Sequence, residues 1–75
     1  MNKIEIDEAM KVAEELIKSH GLEMKLKSAE FISGNDGDKL RYNFTKEEGE
    51  IDLRYLVRDL ATHFKVRIDL RQVKA

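Results

Sequence analysis

Two histidines, a short acid- and glycine-rich string and a set of cations at alternating positions are the features of this chain that could do chemistry. His20 and His63 both fall in the last turn of a helical pattern, where an imidazolium complements the negative end of the helix dipole. Neither has a serine, cysteine or carboxylate at the spacing of a nucleophile–base pair, and two histidines without a third ligand make a poor metal site. They read as capping or solvated side chains. Asn35-Asp36-Gly37-Asp38 has the look of the start of a calcium loop, but it lacks the glutamate at the twelfth position and the flanking helices. Asp-Gly between alternating strands signals a hairpin instead. Gly34-Asn35-Asp36-Gly37 matches the bare G-x-x-G of RNA-binding KH domains, yet that loop joins two helices and this one joins two strands. With no cysteine in the chain, disulfides, a thiolate zinc site and an iron–sulfur cluster bound by this chain are excluded. No catalytic constellation emerges, so the expectation is a non-enzyme with no metal and no cofactor.

The cations are the more informative group. Lys25 and Lys27, Arg41, and Arg67 and Arg71 occupy outward positions of three predicted strands, against Glu23 and Asp69. Overall the chain has 14 basic and 15 acidic residues for a net charge of −1, so nothing draws it to nucleic acid or membrane in bulk. Only cations gathered on one face could bind phosphates or an acidic partner. Tyr42 and Phe44 share parity with Leu40 and belong to the core, which leaves no aromatic pair outside for bases to stack on.

These residues are positioned by a simple succession of elements. Seventy-five residues make one domain, 1–75, and a chain of this size buries only about 60–65% of its unfolded surface. Hydrophobic residues at 41% and charged ones at 39% are the composition of a folded chain. Asp7 is the candidate N-cap of a first helix, on which Ala9, Val12, Ala13, Leu16, Ile17 and His20 form one stripe. Gly21 stops it as a left-handed cap. From Leu22 the period becomes two, with Leu22, Met24 and Leu26 inward, and then Ala29 and Phe31 fall on the opposite parity. That flip predicts a bulge near Lys27-Ser28. Ser33 to Asp38 is the hairpin connection, Leu40, Tyr42 and Phe44 form the second strand, and Lys46 to Glu50 is a charged loop. A second helix spans Ile51 to Phe64, with Asp52 as N-cap and Ile51 packing on Leu56 as a staple. Val66, Ile68 and Leu70 then alternate in a third strand.

The order α-β-β-α-β predicts an α+β two-layer sandwich, with two helices on one face of a three-stranded sheet and the other face open. The longest apolar runs are two or three residues, so no span of a membrane and no export signal is expected, and a cytoplasmic location follows. A small domain without staples leaves sheet edges unprotected by proline, and a homodimer through an edge or the open face is expected. Strand three is a poor self-partner centred on Asp69, because Arg67 would meet Arg71 of its mate, so a shifted register or pairing through strand two is favoured.

Three stretches carry a resemblance: Tyr42-Asn43-Phe44-Thr45, then Ile51-Asp52-Leu53-Arg54-Tyr55-Leu56-Val57-Arg58-Asp59-Leu60-Ala61, then Arg67-Ile68-Asp69-Leu70-Arg71-Gln72-Val73. With Gly21-Leu22-Glu23-Met24-Lys25-Leu26 upstream, the chain resembles the PSP-one C-terminal domain family of the YaaT type from about Asp7 to Val73. The resemblance implies a non-enzymatic regulatory protein of bacteria that joins small helical partners and influences an endoribonuclease, messenger-RNA maturation, sporulation and biofilm formation. Relatives in trypanosomatids occur in RNA-binding complexes. Carried over by position, the family's charged signature falls on Asp52, Arg54, Asp59, Arg67 and Arg71, with Gln72. Glu50 stands where the family pattern has arginine, and the loop before it is one residue longer. The family continues beyond this chain's end into a cysteine-rich segment, so the cluster-binding activity tied to those cysteines is not expected here.

The expected function is a non-catalytic interaction or adaptor domain of a regulatory complex acting on RNA processing, with direct RNA binding through a basic sheet face as the alternative. The residues expected to touch a protein partner or phosphate are Lys25, Lys27, Arg41, Arg54, Arg67, Arg71 and Gln72. Asp52 reads equally as an N-cap, and Asp59 as the partner of an arginine on the third strand.

Overall fold

The computed structural model describes residues 4–47 and 49–74. Its elements are α1 (Ile6–Ser19), β1 (Met24–Gly34), β2 (Gly37–Lys46), α2 (Arg54–Phe64) and β3 (Arg67–Gln72), the predicted α-β-β-α-β order of an α+β fold. The sheet order is β1-β2-β3, with β1 antiparallel and β3 parallel to β2. A parallel neighbour requires a crossover, and α2 supplies it. Because β2 is hydrogen-bonded on both sides, it has no free edge, which rules out the expected self-pairing through strand two.

Helix α1 begins two residues earlier than its acids suggest. Asp7 is not the N-cap; Glu5 is, with no side-chain capping bond, and its carbonyl accepts from the Ala9 amide at 2.9 Å. Asp7 and Glu8 lie in the first turn, where their charge still suits the dipole. The other end closes as the glycine requires. Gly21 takes φ +64, the Leu22 amide donates to Ile17 O at 3.0 Å and the Gly21 amide to Lys18 O at 3.1 Å, the paired bonds of a Schellman cap.

In the β1–β2 ladder Leu26 pairs with Phe44 and Ser28 with Asn43, so Lys27 is the extra residue of the predicted bulge. The bulge keeps Ala29 and Phe31, opposite Tyr42 and Leu40, on the same side as Met24 and Leu26. Without it the strand would turn half its apolar residues to water.

Helix α2 also departs from expectation at its start. Leu53, not Asp52, is the N-cap, and its carbonyl accepts the first helical bond from the Val57 amide at 3.0 Å. Asp52 nonetheless satisfies an amide of the first turn, since its Oδ1 accepts from Arg54 N at 3.1 Å. The C-cap is Lys65 in the left-handed conformation, φ 58 and ψ 38, with its amide on Ala61 O. Of the predicted loop from Lys46 to Glu50, Glu48 lies outside the described residues.

Both helices cover the face that carries Leu40, Tyr42 and Phe44. Ala9, Ala13 and Ile17 of α1 and Leu56 and Leu60 of α2 complete one buried cluster with them and Met24. The two alanines bring α1 close to the sheet. Among the described residues no helix is long and apolar enough to cross a membrane.

Candidate interaction face

Residues opposite one another in neighbouring strands point to the same side of a sheet, so the ladder registers define the uncovered face row by row. One row is Ile32, Lys39 and Arg67; the next is Glu30, Arg41 and Asp69; the third is Ser28, Asn43 and Arg71; Lys25 and Thr45 form the last. Lys27, unpaired at the bulge, is exposed but belongs to no row of the ladder. Among the described residues the rows of the uncovered face thus carry Lys25, Lys39, Arg41, Arg67 and Arg71 against only Glu30 and Asp69. A chain of net charge −1 has segregated its cations here, and its acids cluster elsewhere, at Asp7, Glu8, Glu14 and Glu15 of α1.

The cations on this face are not equivalent. Arg41 lies between two carboxylates, its Nε donating to Asp69 Oδ2 at 2.7 Å and its Nη1 standing 3.6 Å from Glu30 Oε1. Its side chain is 23% exposed, so it ties all three strands together and has little charge left for a ligand. Lys25, Lys39, Arg67 and Arg71 form no ion pair among the described residues. Asn43 donates to Ser28 Oγ at 3.0 Å beside Arg71, giving a polar, hydrogen-bonding floor.

Two of the predicted contact residues lie off this face. Arg54 is in the helical layer at the start of α2, where its Nε and Nη2 grip Asp52 at 3.0 and 2.8 Å while its side chain remains 84% exposed. Those bonds hold the Asp52 carboxyl at a pKa of about 2, below the usual carboxylate range. Gln72 pairs with Phe44 on the core side of the sheet and reaches solvent because β3 ends there.

Lys39 was not foreseen. It shares parity with Arg41, but it adjoins the hairpin string that ends at Asp38, and that polar context hides its place on the strand. Ile32, an apolar residue on the same open face, was missed for the same reason.

The remaining charged signature has a structural role. Asp59 does not pair with an arginine of β3. Its Oδ2 is 2.9 Å from His20 Nε2, and Arg58 Nε stands 3.7 Å from its Oδ1. That side of α2 faces the end of α1, so His20 caps α1 through its amide on Leu16 O and links the two helices through its ring. His63 is exposed and meets the Phe64 ring edge-on at 4.7 Å. Tyr55 is 51% exposed, with the Arg58 guanidinium 5.0 Å from its ring centroid.

Comparison with known proteins places this geometry in context. The family profile described as the PSP1 C-terminal conserved region matches residues 1–73. Among curated proteins, the stage 0 sporulation protein YaaT of Bacillus subtilis (strain 168) is 43% identical over 72 residues, covering 96% of this chain. The chain spans about a quarter of that relative's length, 25%. No solved structure matches it.

Proposed function

This chain belongs to the family of the PSP1 C-terminal conserved region, and we propose that it is a non-catalytic interaction module of a regulatory complex, working in the cytoplasm as an adaptor in RNA processing. The likeness to a sporulation-stage protein supports the regulatory part of this reading. The observation that carries the interaction part is the uncovered sheet face, where Lys25, Lys39, Arg67 and Arg71 have no ionic partner among the described residues while Arg41 is fully compensated. Such a face attracts an acidic protein surface and holds it in register through rows of fixed spacing. The test is a pull-down with the intact chain and with an Arg67→Glu, Arg71→Glu double variant, which keeps the core intact. Specific partners should be recovered by the first and lost by the second; equal recovery removes this face from the reading.

Direct RNA binding is the second reading, favoured by the same cations spaced along an open sheet. Among the described residues this face has no aromatic side chain, so contacts would be to phosphates and the binding would show little sequence preference. Affinity for a single strand should fall with salt with a log–log slope of roughly −0.7 per phosphate neutralised. Absence of binding at about 50 mM salt, where that term is strong, would exclude it.

A further inference from the structure

Among the described residues the sheet ends in two free edges, and they differ in what they can accept. The edge of β3 carries Arg67, Asp69 and Arg71 on its open side. A second β3 pairing antiparallel about Asp69 would set Arg67 against Arg71 twice, and the carboxylate that could relieve them is bound to Arg41 at 2.7 Å. In that register the edge repels a copy of itself. The edge of β1 is different beyond its bulge: Ser28-Ala29-Glu30-Phe31-Ile32-Ser33-Gly34 holds a single charge and no proline.

We propose that a second copy of this chain adds to the free edge of β1, antiparallel, about a two-fold axis at Phe31. In this register Phe31 lies opposite Phe31 of the mate, Glu30 opposite Ile32, Ala29 opposite Ser33 and Ser28 opposite Gly34, with no like charges in contact. Centring one residue earlier would set Glu30 against Glu30, so charge excludes that register. Phe31 is partly buried yet lies outside the cluster packed on the core, and the dimer gives it an aromatic partner. The bulge at Lys27 ends the paired segment, because the disrupted ladder there cannot continue regular pairing. The two-fold stands perpendicular to the sheet. It therefore joins two three-stranded sheets into one of order β3-β2-β1-β1-β2-β3, with all four helices on one side and both basic faces side by side on the other. A partner spanning both faces would bind with the avidity of two linked sites. The dimer itself does not depend on what that face binds.

Sedimentation equilibrium from about 5 to 500 µM should show the mass rising from 8.7 kDa toward twice that value. Ile32 lies on the open face, so it can be changed with little effect on the core. Ile32→Lys, opposite Glu30 of the mate, should tighten the dimer roughly fivefold, and Ile32→Glu should weaken it by a similar factor. The chain has no cysteine, so Phe31→Cys introduces a single thiol that should oxidise to a linked dimer, while Asp69→Cys at the middle of β3 should stay monomeric. A constant mass of 8.7 kDa, the same response to both Ile32 variants, or crosslinking through Asp69→Cys instead would each overturn the proposal.

Discussion

The Tyr42 hydroxyl donates to the carbonyl of Ala9 at 2.8 Å, across the interface between the central strand and α1, at a site with no exposure of the ring. This one bond lets a phenol sit in the core. Burial pushes its pKa well above the ordinary tyrosine value, so the group stays a neutral donor throughout the usable pH range.

Tyr42→Phe should leave the fold intact and lower stability by about 1 kcal/mol, the net worth of a buried neutral hydrogen bond. In thermal unfolding that amounts to a drop of about 4–8 °C for a domain of this size. An unchanged melting temperature would mean that the bond contributes nothing beyond the ring's packing.

Lys65 holds a left-handed conformation that glycine adopts without the clash of a Cβ. Lys65→Gly relieves roughly 1 kcal/mol of local strain but also frees the unfolded chain, so a net gain of about 0.5 kcal/mol is expected. Denaturant titration checks it: the midpoint should rise with the slope unchanged.

Asp52 is held at a pKa of about 2, chiefly by the side-chain bond from Arg54 and then by its amide. Because the folded value lies below the unfolded one, the stabilisation is present above the unfolded carboxylate range and is lost as pH falls toward about 2. Carboxyl NMR titration should place the midpoint there. Arg54→Ala should return it toward the ordinary range, and an unmoved midpoint would sink the assignment.

Asp69→Asn removes the nearer carboxylate from Arg41 and leaves only Glu30 at 3.6 Å. Stability should fall by about 1 kcal/mol, given a partly exposed pair. Under the proposed reading, affinity for an acidic partner should rise, since the same change raises the charge of the face. Loss of both stability and binding would show that the strut matters more than the net charge.

Legibility in the sequence followed the range of the physics involved. Gly21 as a stop, the alternation of Leu40, Tyr42 and Phe44, and the parity flip at Lys27 were all readable. Each is set by the chain's local geometry and by which residues must leave water. The helix starts were less clear, because Asp7 and Asp52 are both good caps. Packing chose the first turns so that Ala9 and Leu56 face inward, which leaves Asp7 two residues beyond the cap of its helix and Asp52 one residue before the cap of its own.

The pairing of charges, by contrast, belongs to the assembled fold. Arg41 and Asp69 are 28 positions apart and His20 and Asp59 are 39 apart. Their meeting depends on β3 lying parallel beside β2 and on α2 crossing close to the end of α1. A charge in the sequence carries no mark of its partner, since Coulomb attraction acts through space and most of these side chains would be equally content in water. Hence a basic face is legible in the alternation of the strands alone. The neighbouring strands determined that Arg41 is occupied within it, that Lys39 belongs to it, and that β1 and β3 are its two open edges.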